Sequence, residues 1–166
     1  GITDSTDWFG LVDRVGIVSQ RAVLVDALTV VQNLAMPFTL DIDPPPADVR
    51  ARAETLAREV GLDSVTFDQP VAALAATARF RVRLGRALAL DPSVVIFEHP
   101  TAELENGSAG EIATVCRAVV ATRRAAALVL TADRDFAHAA ATRVLVHDPA
   151  SGRLKPPGLW SAFRRR

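Results

Sequence analysis

The sequence predicts an α/β fold in which a parallel sheet is interrupted by an inserted helical subdomain. Three observations lead to it. Val94-Val95-Ile96-Phe97 is an unbroken apolar run, followed at once by Glu98, His99 and Pro100. That is the pattern of a strand buried on both faces of a parallel sheet, with polar residues at its carboxyl end, where open α/β sheets place ligands. Further short apolar runs alternate with helical patterns on either side of it, as in repeated strand–helix units. Between Arg21 and Leu90 the alternation stops and the pattern is mainly helical, which marks that stretch as the insertion.

Bulk properties narrow the class. The chain has 166 residues, nearly half of them hydrophobic, which is material for one domain with an ample core. The formal net charge is zero, so no electrostatic footprint points to nucleic acid, and none is expected as a partner. Cys116 is the only cysteine, which excludes an intramolecular disulfide and reads as a small core residue. No apolar run approaches the ~20 residues of a membrane span, and no signal peptide is expected.

In chain order, Arg14 to Ser19 reads as a short strand ending at Gln20, with Trp8 and Phe9 as anchors before it. From Arg21 to Leu40, Leu28, Val31, Leu34 and Ala35 recur at helical spacing until Pro37. Asp41 to Pro46 carries three consecutive prolines, a stiff spacer. The next helix shares Val49, Ala53, Leu56, Ala57 and Val60 on one face, and Gly61 is placed to end it. Asp63 to Ala73 is irregular.

A helix from about Ala76 to Leu90 follows. Its buried stripe is Phe80, Leu84, Ala87 and Leu88, and Arg79, Arg81, Arg83 and Arg86 form a solvated flank. Asp91-Pro92 breaks it before Val94. Ser108 and Glu111 have capping-box spacing and open a helix with Ile112, Val115, Cys116 and Val119 inward. Ala126 to Leu130 reads as a second buried strand, and Arg134 to Ala141 as a short helix. Arg143 to Val146 reads as a third strand, turned back by Asp148 to Gly152 toward Arg153-Leu154, with Trp160 and Phe163 pinning the tail.

This order of elements resembles the ATP-binding subunit of ABC transporters, from about Arg14 to Leu154. Val15-Gly16-Ile17-Val18-Ser19-Gln20 looks like the strand entering that family's Q-loop, with Gln20 at the glutamine. Leu28 to Pro37 looks like the segment opening its helical subdomain, and Val71 to Leu88 matches its signature region in length. Phe97-Glu98-His99-Pro100-Thr101 sits at the Walker B carboxylate, the catalytic base, and the proline and threonine after it. Ala102 to Glu105 falls on the D-loop, and Thr131-Ala132-Asp133 on the switch-histidine loop. The resemblance implies a partial P-loop NTPase (RecA-like) sheet with three parts. Residues 1–20 are a leading core segment, 21–90 the helical subdomain, and 91–166 the remaining core.

Departures accompany the likeness. A P-loop needs glycines that bare backbone N–H groups to phosphate, then a lysine and a hydroxyl. The only lysine, Lys155, lies in no such context. In the family that loop precedes the Q-loop by several tens of residues, a position before Gly1. The signature positions carry Ala75, Ala76 and Thr77 where serine and two glycines are the family pattern. Ala132 replaces the switch histidine.

By resemblance the cofactors are ATP and Mg²⁺. Glu98 and Gln20 stand at the metal positions, His99 at the general base, and Ala75, Ala76 and Thr77 at the nucleotide-contacting signature. Each has a plainer alternative: a polar strand end for Gln20, a carboxylate capping backbone for Glu98, a structural histidine for His99. The implied partners are a transmembrane permease, met through Ala22 to Phe38, and a second ATP-binding subunit in a homo- or heterodimer. The implied location is the cytoplasmic face of the membrane. The resemblance implies a degenerate ATP-binding domain, poor or inactive in hydrolysis. The alternative is a catalytically silent interaction or regulatory subunit that binds no nucleotide.

Overall fold

The computed structural model describes residues 14–105 and 107–157. Trp8, Phe9, Trp160 and Phe163 lie outside them. Strands β1 (Val15–Val18), β2 (Val94–Glu98) and β3 (Ala126–Leu130) form a parallel sheet in the order β1-β2-β3. Helices α1 (Val30–Ala35), α2 (Ala47–Glu59) and α3 (Ala76–Leu88) fall between β1 and β2. Helix α4 (Ala109–Arg123) joins β2 to β3, and α5 (Arg134–Ala140) follows β3. A separate antiparallel hairpin pairs β4 (Val146–Asp148) with β5 (Arg153–Lys155).

One face of the sheet is sealed against helices. Val18, Val95 and Phe97 are fully buried there. Gly16 lies so close to α3 that a Cβ would meet the Ala87 carbonyl oxygen at 2.4 Å, so a bare backbone is needed for strand and helix to touch. The opposite face is open among the described residues. Ile17 and Leu128, in register across Ile96, are 53% and 50% exposed. The expectation that β2 is buried on both faces therefore holds for one face, with Val94 and Ile96 half-buried on the other. The expectation for Ala126 to Leu130 fails further. That strand is exposed along most of its length, and among the described residues only β2 pairs with it.

Other local expectations are corrected by competing partners. The helix expected across Arg21 to Leu40 is confined to α1, and the preceding loop is held by Asn33. This buried amide donates to the carbonyls of Val25, Leu28 and Thr29 and accepts from the Val25 N–H. The capping box occurs at Thr29 and Gln32, where Thr29 is extended and both reciprocal bonds form. Ser108 makes no capping bond, because its backbone is helical and Glu111 is drawn 2.6 Å from Arg81. The strand expected at Arg143 to Val146 forms three residues later in part, from Val146 to Asp148, and outside the parallel sheet.

Helix α2 buries Val49, Ala53, Leu56 and Ala57 as the spacing predicts, and Gly61 follows its end at φ 78°. Helix α3 buries Phe80, Leu84 and Leu88, but its arginines are not a solvated flank. Arg79 pairs with Asp26 at 3.0 Å. Arg81 donates to the Val60 carbonyl and to Glu111, each at 2.6 Å. Arg83, buried, reaches Glu103 at 2.6 Å, and Arg86 donates to the Val23 carbonyl at 2.8 Å. Helix α3 has neighbours on several sides, and long guanidinium arms span to them while their stems pack. Burial holds the Arg86 pKa below its ordinary value. Cys116 is buried as expected, and burial pushes its thiol up to about 12, too high for a reactive thiolate.

Candidate functional site

The carboxyl ends of β1 and β2 carry the polar residues. Parallel register sets Val18 beside Phe97, so the next residues, Ser19 and Glu98, come level. The Ser19 hydroxyl donates to Glu98 Oε2 at 2.6 Å and accepts from the Arg21 N–H at 3.1 Å. That bond, with the positive charge of Arg21 nearby, holds the Glu98 carboxyl below its usual range against a smaller desolvation effect. The pairing of Ser19 with Glu98 was not anticipated. Its sequence signal is a hydroxyl at the end of one strand opposite a carboxylate at the end of its neighbour.

Directly after Glu98 the chain turns sharply. His99 has φ 47°, a left-handed conformation that costs a non-glycine residue on the order of 1–2 kcal/mol. Its N–H bonds the Leu130 carbonyl at 2.8 Å and its carbonyl accepts from Ala102 at 3.1 Å, so the turn is pinned from both sides. The His99 side chain is exposed.

Gln20, Ala76, Glu98 and His99 line one cavity, with Arg83 and Glu103 closing its side. Its volume is about 10 Å³, room for roughly one water. Arg83, one of the lining residues, has a buried Nε without a hydrogen-bond partner. Ala75 and Thr77 sit at the start of α3 and do not line the cavity. Ala75 is the N-cap and supplies no side-chain bond, so the N–H groups of the first turn have no side-chain cap.

The donor set limits any metal. Among the described residues no group of three or more His, Cys, Asp or Glu side chains is arranged around one point. Glu98 is one carboxylate with one oxygen already bonded to Ser19. This fits a Mg²⁺ ion that keeps waters and takes phosphate oxygens from a nucleotide, and does not fit an ion held by protein alone. A second, larger groove of about 380 Å³ lies behind Arg83, lined by Ile17, Ala22, Met36, Pro37, Arg86 and Ala87.

A parallel sheet carrying a glutamine, an acid and a pinned turn at its carboxyl edge, with helices inserted between its first two strands, defines a nucleotide-cassette type of α/β protein. No family model matches the chain. Individual proteins do. It is 30% identical over 139 residues, 84% of its length, to the lipoprotein-releasing system ATP-binding protein LolD of Alcanivorax borkumensis, covering 60% of that protein. It is 31% identical over 143 residues to the glutamate/aspartate import ATP-binding protein GltL of Escherichia coli K12, covering 86% of this chain and 58% of that protein.

The fold matches the dimeric ATP-binding cassette MJ0796 in a post-hydrolysis state bound to ADP and Pi. The TM-score is 0.64 and the identity 22%, over 83% of this chain and 61% of that one. These homologues are ABC transporter ATP-binding proteins, and the chain has the P-loop NTPase fold of the ABC cassettes. It spans between 42% and 60% of the length of these and the other similar curated relatives.

Proposed function

We propose that this chain is an ATP-binding domain that couples nucleotide to a membrane permease while contributing little to hydrolysis itself. The observation that supports this best is the assembly of Gln20, Glu98 and His99 at one sheet edge beside the start of α3, around a cavity sized for a water. Glu98 would hold Mg²⁺ through its free oxygen and Gln20 would orient the ion's water. The uncapped first turn of α3, with the Thr77 hydroxyl, would face phosphate. His99 stands where a base would take a proton from the attacking water. A bound nucleotide supplies the phosphoanhydride that hydrolysis would cleave.

Two features keep turnover low in this reading. The 166 residues contain no glycine-rich loop ending in lysine, so these residues by themselves would hold phosphate from one side only. The methyl groups of Ala75 and Ala76 stand where the resemblance has a serine hydroxyl and bare backbone. The three-part division at residues 20 and 90 belongs to this proposal, as does a cassette partner that provides the other phosphate cradle. The permease would dock on Ala22 to Phe38, where Val23 is 73% exposed beside the groove behind Arg83. Such a chain would work at the cytoplasmic face of the membrane. No described helix is long and apolar enough to cross it.

The test has two arms. Phosphate release by the full chain with ATP and Mg²⁺ is expected at background, and metal-dependent turnover abolished by Glu98→Gln would overturn the inactivity. A labelled ATP analogue is expected to bind in a Mg²⁺-dependent way that Glu98→Gln weakens. Absence of binding at millimolar analogue would replace this reading with the silent interaction subunit, which the small volume of the cavity favours.

A further inference from the structure

Arg83 is the one side chain shared by the cavity at Glu98 and the groove of about 380 Å³ behind it. The side chain is 9% exposed, and its Nη1 donates to Glu103 at 2.6 Å. Nε is buried without a partner, and among the described residues Nη2 makes no hydrogen bond either. In a flat guanidinium Nε–H and the nearer Nη2–H point the same way, so together they form a fork that takes both oxygens of one carboxylate. Glu103 holds the other end of the group, and this fork is left over.

Charge and size decide which of the two spaces could fill it. The cavity has room for roughly one water and is lined by Glu98 and Glu103, which repel an anion. The groove is lined by a second arginine, Arg86, and by no carboxylate. Arg86 donates to the Val23 carbonyl at 2.8 Å and pairs with no acid among the described residues, so burial alone lowers its pKa. Burying a guanidinium without an opposing charge costs free energy that an anion would return. The rest of the lining is Ile17, Ala22, Met36, Pro37 and Ala87, an apolar wall. The volume lies in the range of small-ligand sites.

We propose that the groove binds an aliphatic group ending in a carboxylate, with the carboxylate on the Nε–Nη2 fork of Arg83 and beside Arg86. The apolar wall takes the aliphatic part and the two guanidiniums take the charge. Because Nε is screened from solvent, the acid reaches it as the guanidinium turns toward the groove and draws away from Glu103. Groove and cavity are therefore coupled through one side chain. The acid loosens the Glu103 contact, which closes the side of the cavity that holds Glu98 and His99. A free aliphatic acid and an acidic side chain on an apolar segment offer this same chemistry. The site stands on the groove's own charge and shape and not on the proposed nucleotide chemistry.

The test titrates the full chain with butyrate at constant ionic strength and follows the arginine Nε–H signals by NMR. The Arg83 signal should shift with a dissociation constant of roughly 1–10 mM. The Arg50 signal, whose Nε is already bonded to Glu54, should not move. Neutral butyramide should move neither. Glu103→Gln removes the competing acid from a half-exposed position and should tighten butyrate at least roughly threefold. Arg83→Gln should abolish the response. Arg83 is buried and its loss can unfold the chain, so Glu103→Gln decides the matter independently. A second arm uses the blocked tripeptide leucyl-glutamyl-leucine. Tighter binding than butyrate assigns the site to a partner's acidic side chain, and equal or weaker binding assigns it to a free acid. No shift at Arg83 with either probe, an equal response to butyramide, or a Glu103→Gln chain that binds no tighter would overturn the proposal. No nucleotide, metal or permease enters these readouts, so their failure leaves the proposed function standing.

Discussion

Arg123 is the strongest single tie between the helices inserted after β1 and the part of the chain that follows β2. From the end of α4 it donates two bonds of 2.6 Å to the Glu59 carboxylate on α2, one of 3.1 Å to the Leu88 carbonyl, and one of 3.0 Å to Asp91. The Glu59 side chain raises the Arg123 pKa above its ordinary value. Arg123 and Glu59 are 19% and 21% exposed, whereas Asp91 is 85% exposed. The Asp91 contact therefore contributes at most about 1 kcal/mol. The bidentate pair with Glu59 contributes about 1.5–3 kcal/mol, less what rehydration of the freed carboxylate returns, and the carbonyl bond adds about 1 kcal/mol.

Arg123→Ala should therefore destabilise the fold by about 3 kcal/mol, which at ~2 kcal/mol per molar urea lowers the unfolding midpoint by roughly 1.5 M. A double-mutant cycle with Glu59→Gln should return a coupling of about 1–2 kcal/mol. A single-mutant loss below ~0.5 kcal/mol together with zero coupling would refute the assignment of this pair as the tie.

Three further outcomes are expected. Gly16→Ala forces a Cβ to 2.4 Å from the Ala87 carbonyl oxygen, a backbone atom that cannot rotate away. The cost should lie toward the upper part of the usual 1–3 kcal/mol for overpacking, read as a melting-temperature drop of roughly 5–10 °C; an unchanged melting curve would disprove the close approach. Thr29→Ala should lose about 1 kcal/mol and Ser108→Ala less than about 0.5 kcal/mol, because only Thr29 makes a capping bond; equal losses in urea titrations would contradict the assignment. The Glu98 carboxyl is held low in the folded state by Ser19, so its contribution is present above the ordinary carboxylate range and is lost as pH falls through the lowered value. Ser19→Ala should flatten the acid side of the stability–pH profile, and an acid limb identical to the parent's would count against the bond.

The strands and helices were legible where burial imposes a period. Val49, Ala53, Leu56 and Ala57 repeat at helical spacing because one side of α2 is buried, and Val94 to Phe97 is apolar because Val95 and Phe97 face helices while Val94 and Ile96 are half-buried on the other face. Burial of β3 was not legible, because the apolar run from Ala126 to Leu130 reads the same whether or not a further element covers it. Capping boxes share one spacing, so Thr29–Gln32 and Ser108–Glu111 differ only through backbone conformation and the competing Arg81. The arginines of α3 looked like a solvated flank because their partners, such as Glu103 for Arg83, lie far along the chain. The candidate site was legible at Gln20, Glu98 and His99, which follow directly from strand ends. Ser19 escaped because its role needs the β1–β2 register.

The same register shows why the candidate site and the open edge belong to one problem. Glu98 is set by β1, through Ser19, and the His99 turn is set by β3, through the Leu130 carbonyl. Leu130 also opens the segment Thr131-Ala132-Asp133, where the Thr131 hydroxyl accepts from Asp133 N–H at 3.0 Å and Asp133 caps α5 through the Phe136 N–H at 2.9 Å. The turn holding His99 and the loop leading into α5 therefore share one anchor, the last residue of an exposed strand. Loosening β3 should loosen both together, since order in β3 is what either can draw on. Exchange at the His99 amide is the measure of this coupling. It should quicken in Val129→Ala, and an unchanged rate would show that β2 alone holds the turn.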